Sequence, residues 1–271
     1  TVKANKRTFI FSKKDGQLKG VSVDNRKINF ANGPRFIGAR RADRSLDQFY
    51  NHDDEKAKEK DRTYSEFPDA AVFTKLDVKE DGGNLVVTAN YKLGNLDKAQ
   101  WTINPSGELA LDYTYNFSGV VDLMGIRFDY PEDQVISKRW LGAGPYRVWQ
   151  NRIHGTQYDV WENDYNDPIP GETFTYPEFK GYFGNVSWMN IQTKEGTISL
   201  TNETPDAYIG VYQPRDGRDR LLYTLPESGI SVLNVIPPVR NKVNSTDLCG
   251  PSSQPKWVNG PQTGRVIFRF M

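Results

Sequence analysis

A single cysteine, Cys249, stands in 271 residues. One thiol makes no intrachain disulfide and no cysteine-based zinc or redox centre, so its simplest reading is a small buried or loop thiol. Histidine is nearly as scarce: His52 and His154 are the only two, and they lack the spacing of a metal-binding helix. Neither sign of charge is in excess. Thirty-five Lys and Arg against thirty-four Asp and Glu leave a net charge of +1, which builds no basic field for nucleic acid and no acidic tail. Long apolar runs are missing too. Mean hydropathy is −0.67, and no window is apolar enough to span a membrane as a helix. There is no G-x-S-x-G elbow, no convincing nucleophile triad and no glycine-rich phosphate loop, so no cofactor and no metal is expected.

What is present is alternation with period two. Leu85, Val87, Ala89, Tyr91 and Leu93 oppose Val86, Thr88, Asn90 and Lys92. Leu109, Leu111, Tyr113, Tyr115 and Phe117 form a second such set, and Val266, Phe268 and Phe270 a third. Between the runs sit the turn signals KKDGQ (13–17), EDGGN (80–84), NPSGE (104–108) and PRDGRDR (214–220). The opening reads as a meander over 7–11, 17–23 and 27–30. No helical apolar face persists beyond about two turns. DDEKAKEKD (53–61) reads as a solvated loop or short surface helix. The expected fold is all-β, one domain over 1–271 with about a dozen or more strands in two large packed antiparallel sheets. TGRVIFRFM reads as a natural C-terminus sealed into a sheet, and a start at Thr1 suits a mature product or a piece of a longer protein. No signal peptide stands in the chain.

Residues 140–190 break the alternation. They are rich in aromatics, proline and glycine, and read as a long irregular, functional stretch. Trp140, Tyr146, Trp149, Tyr158, Trp161, Tyr165, Tyr176, Tyr182 and Trp188 fall within it, interleaved with Asn, Asp, Glu and Arg. Sugar rings stack an apolar C–H face on aromatic plates and offer hydroxyls to such polar groups, although core packing explains many single rings equally well. Glu162 and Glu178 can be named as a carboxylate pair for glycoside hydrolysis, but sequence fixes no separation between them, and chance is the better reading. His154 is a candidate general acid, or a partly exposed loop histidine bonded to backbone.

The run KRWLGAGPYRVWQNR resembles the hallmark W-[LF]-G-x-G-P-x-E-x-Y-x-D-R of the C-terminal, small-chain domain of family-two glycoside hydrolases of the β-galactosidase type. Trp140, Leu141, Gly142, Gly144, Pro145 and Arg152 match it. Pro177 and Gly181 fit the family's P-x-E-x-G block, and Trp188 sits where that block re-enters a strand. Departures are Arg147, Trp149 and Asn151 for the hallmark Glu, Tyr and Asp, Phe179 for the block's central acid with Glu178 beside it, and FIGARRADRS (36–45) for the early W-R-A-P-T-D-N-D.

The resemblance implies a galactose-mutarotase-like super-sandwich. It also implies that this domain holds no catalytic carboxylate, packs on the catalytic barrel of a parent polypeptide, and lends a Trp-bearing loop to a carbohydrate cleft. The sugar is galactoside-like or another glycoside; nucleic acid and membrane are not expected partners. Trp257, in CGPSSQPKWVNGPQTG, is then the foremost cleft residue, at the tip of an ordered loop that ends at Gly264. Trp149, Arg147, Asn151, His154 and Glu178 are further cleft-facing or carbohydrate-binding candidates. Trp140, Gly142, Gly144, Pro145 and Arg152 are structural, with Arg152 expected to make buried hydrogen bonds. Two alternatives stand beside this: a carbohydrate-binding module with no cleft role, and a free-standing aldose epimerase using a Glu base and a His acid.

Overall fold

The computed structural model describes residues 1–41, 64–172, 176–214, 225–239 and 250–271. The charge run at 53–61, the turn signal at 214–220 beyond Pro214, and Cys249 lie outside the described residues. Alternation becomes strand throughout. Eighteen strands and three short 3-10 turns, with no α-helix, make up the regular structure among the described residues.

The first nine-stranded sheet runs β1 (Val2–Ala4), β2 (Arg7–Phe11), β3 (Leu18–Val23), β5 (Ala31–Arg41), β11 (Leu123–Asp129), β17 (Ile230–Val235) and β16 (Tyr208–Gly210). To it are added β4 (Arg26–Ile28) beside β3 and β6 (Tyr64–Glu66) beside β5. The second nine-stranded sheet runs β13 (Gln157–Asp164), β12 (Val135–Gly144), β14 (Trp188–Thr193), β15 (Gly196–Asn202), β18 (Lys256–Phe270), β10 (Leu109–Val121), β9 (Leu96–Ile103), β8 (Asn84–Lys92) and β7 (Val72–Asp81).

The inner faces meet in one aromatic core. Phe30 stacks on Phe128 of β11 at 4.7 Å and tilts against Phe268 of β18 at 5.0 Å; Phe36 of β5 meets Tyr115 of β10 at 5.5 Å. The period-two sets explain this placement. Leu109, Leu111, Tyr113 and Tyr115 are buried, and so are Val266, Phe268 and Phe270. Leu93 departs from its set: the chain turns there with φ +56°, and its side chain is exposed.

A second, smaller core lies on the other face of the first sheet. Ile37, Ala39, Leu123 and Leu233 point away from the inter-sheet core and are covered by Val148, Trp149, Tyr182, Ile236 and Val239. The stretch after β12 is therefore a third layer over the first sheet. The irregular reading of 140–190 also needs correcting in part, because Gln157–Asp164 pairs with β12 in continuous register from Ser137↔Asp164 to Gly144↔Gln157.

Candidate functional site

The hallmark begins inside β12. Trp140 is buried, donates from Nε1 to the Ala143 carbonyl at 3.1 Å, and meets Phe183 edge-on at 5.0 Å. Gly144 has a direct steric reason. A Cβ there would lie 2.4 Å from the Trp161 indole, so only glycine lets that ring cross the backbone. Gly142 packs against the Asn185–Val186 backbone. Gly144–Pro145 is a cis peptide. Beyond it, Tyr146 donates to the His154 carbonyl at 2.8 Å and meets Phe179 edge-on.

The next residues divide among different environments. Trp149 has no exposed surface; its ring meets Tyr182 edge-on at 5.8 Å in the smaller core. Arg147 is 2% exposed. It donates from Nη2 to Asn166 Oδ1 at 2.8 Å, and its guanidinium lies over the Tyr212 ring at 5.1 Å. Lys138, equally buried, stands 5.2 Å from the same ring and donates to the carbonyls of Asp164 and Asp167 at 2.7 and 3.0 Å. Burial depresses both cations, Lys138 to about 7 with further help from Arg147, and Arg147 to about 10. Arg152, expected to be the buried arginine, is exposed; its backbone N–H closes a turn onto the Trp149 carbonyl at 2.8 Å. His154 is exposed, and Glu178 is half-buried in the 3-10 turn Pro177–Phe179.

Gln150 and Asn151 reach elsewhere. The Gln150 backbone N–H donates to the Pro237 carbonyl at 3.0 Å. Its side-chain amide donates to the carbonyls of Ser252 and Gln254 at 2.8 and 2.7 Å. The Asn151 side-chain amide pairs with the Val239 backbone, donating from Nδ2 to its carbonyl at 2.9 Å and accepting at Oδ1 from its N–H at 2.8 Å. It also reaches Ser253 Oγ at 3.3 Å. Ser252–Gln254 lead into β18, where Trp257 stands 71% exposed, opposite Val120 of β10.

The structure thus brings Asn151 and the approach to Trp257 together through Gln150, a residue the sequence did not single out. Arg147 belongs to a separate cluster with Lys138, which lies just ahead of the matched hallmark, and Tyr212, which carried no motif. The expected loop tip at Trp257 is instead the second residue of a 15-residue strand. Pro261 is tolerated in that strand because β15 pairs only with its 266–270 portion, leaving one side of β18 without a strand partner at Pro261 among the described residues.

Glu162 is exposed on β13, 3.8 Å from Arg139. A cleft lined by Asp129, Tyr130, Glu132, Gln213 and Glu227 contains none of the residues the sequence singled out. No group of three metal-ligating side chains occurs among the described residues, and no helix there is long and apolar enough to cross a membrane.

No curated protein matches the chain in sequence. Among solved structures, the chain is similar to the alpha-N-acetylgalactosaminidase NagBb of Bifidobacterium bifidum in its GalNAc complex, at 10% identity and TM-score 0.45, over 100% of this chain and 36% of that one. It is similar to a GalM/aldose epimerase homologue from C. elegans at 9% identity and TM-score 0.41, over 98% and 99% of the two chains. It also resembles the galactose 1-epimerase of Lactobacillus acidophilus NCFM at 8% identity and TM-score 0.42, over 99% of each. The chain therefore spans about a third of the length of NagBb. The fold of this chain is all-β, with two large antiparallel sheets. The profile of the beta-galactosidase small-chain family matches residues 3–244, nearly the whole chain, and the chain belongs to that family.

Proposed function

We propose that this chain is the C-terminal accessory domain of a β-galactosidase-like glycoside hydrolase. It packs on a catalytic barrel of the parent polypeptide, contributes Trp257 to carbohydrate binding and is not catalytic alone. The observation that carries the reading is the placement of Trp257. A large aromatic gains about 2–3 kcal/mol on burial, yet this indole is 71% exposed at the second residue of β18. Trp is favoured where one face of a ring meets a partner and the rest stays wet. Membership of the small-chain family supports a role beside a glycosidase cleft.

The test is Trp257→Ala in the full-length enzyme. KM for the glycoside should rise while the melting temperature of this domain stays nearly unchanged. Unfolding of the domain, or an unaltered KM in a folded variant, sinks the reading. A binding module without a cleft role would instead give micromolar binding of a monosaccharide by calorimetry on the isolated chain. The expectation here is millimolar or weaker, about 4 kcal/mol at 1 mM.

A further inference from the structure

We propose that Gln150 and Asn151 are positioning residues that set where Trp257 stands. This rests on the cleft role given to Trp257 above for its functional meaning, but not for its geometry. The first half of β18 needs such a device. Among the described residues its sheet partner over Lys256–Gly264 is β10 alone, since β15 joins only from Val266 onward. A strand start paired on one side frays readily, and Trp257 is the second residue of that start.

The bonds that restrain it come from the hallmark segment, more than 100 residues earlier in the chain. Gln150 is 7% exposed. Its Nε2 divides its two hydrogens between the Ser252 and Gln254 carbonyls, at the C-terminal end of the 3-10 turn Pro251–Ser253. Asn151 ties Ser253 Oγ and both backbone groups of Val239 into one unit. Both residues hang from a segment whose neighbours, Val148 and Trp149, are anchored in the smaller core with no exposed surface. The position of the indole is thereby referred to a rigid layer of the molecule rather than to the strand's own start. The amides at 150 and 151 act through the turn.

The experiment is fluorine NMR of this chain labelled with 5-fluorotryptophan, which reports its six tryptophans. Trp257→Phe identifies the Trp257 signal. Gln150→Leu and Asn151→Ala should shift or broaden that signal and leave the buried Trp101 signal in place. Asn151→Asp keeps the acceptor for Val239 N–H and loses the donors, so it should give a smaller effect. Ser253→Ala, which removes the hydroxyl that accepts from Asn151, serves if the larger changes do not fold. A Trp257 signal that stays fixed in every folded variant overturns the proposal.

In the full-length enzyme, Gln150→Leu should raise KM several-fold with little change in kcat and add nothing on top of Trp257→Ala. Additive KM effects also overturn it. If Trp257→Ala leaves KM alone while the NMR signal still responds to Gln150→Leu, the cleft role fails and the positioning stands.

Discussion

At the scale of single residues, the buried pair Lys138 and Arg147 carries a measurable consequence. Both cations face the Tyr212 ring, and the groups around Lys138 are Arg147, the carboxylates of Asp164 and Asp167 and the carbonyls of those same two residues. Its pKa falls from 10.5 to about 7 on folding. Between those values the unfolded chain binds the proton and the folded chain does not. Lys138 therefore favours folding increasingly as pH rises through that window, and penalises it most below about pH 7. Lys138→Met should raise the melting temperature relative to wild type more at pH 6 than at pH 9. A difference independent of pH would mean that the lysine stays charged throughout. Gly264 makes a second residue-scale prediction. A Cβ there would sit 2.2 Å from the Tyr113 hydroxyl and 2.7 Å from Thr204 Oγ1. Gly264→Ala should cost about 1–3 kcal/mol in urea unfolding, the usual range for overpacking. Tyr113→Phe in the same chain should restore part of it.

At the scale of elements, the strands were the legible part. Hydrophobic alternation marks β8, β10 and β18 because each turns its larger apolar side chains to the core, although Val86 of β8 and Ala110 of β10 are buried on the opposite face. β13 was illegible for the opposite reason. It is an edge strand with Tyr158 and Val160 exposed, so no buried face stamps a period on it. β18 was read too short. Gly260 and Pro261 signal a loop in sequence, but a half-paired strand admits both. The site was legible only in part. Asn151 and Trp257 carried a family resemblance, while the partner amide Gln150 carried no signal, because its role exists only through contacts about 100 positions away. Arg152 reads as making buried hydrogen bonds because it matches the hallmark, yet nothing in local sequence says which of two nearby arginines turns inward. An element-level prediction follows for the first half of β18. Hydrogen exchange should be faster at Val258–Gln262 than at Val266–Phe270, whose strand is flanked on both sides. Equal protection would contradict the one-sided pairing.

At the scale of the whole molecule, one aromatic core joins both sheets, through contacts such as Phe30 with Phe128 and Phe268. Unfolding followed by far-ultraviolet circular dichroism and by tryptophan fluorescence should therefore give coincident transitions. Separated midpoints would show that the sheets melt independently. The isolated chain should turn over no nitrophenyl glycoside and should not accelerate anomer interconversion of galactose in polarimetry. Turnover abolished by removing one of its carboxylates would move the catalytic machinery into this domain, and interconversion lost in His154→Ala would favour the epimerase alternative. The second sheet also holds a consequence for synthesis. β18 lies between β15 and β10, yet it is the last strand in chain order, so the block β7–β10 and the block β12–β15 have no shared neighbour until it emerges. At 5–20 residues per second, the ribosome spends roughly 7–27 s between completing β10 and beginning its mate. Throughout that interval the edge of β10 that pairs with β18 lacks its mate. Codon-level pauses placed in this window should raise the yield of insoluble protein, whereas equal pauses before β7 should not.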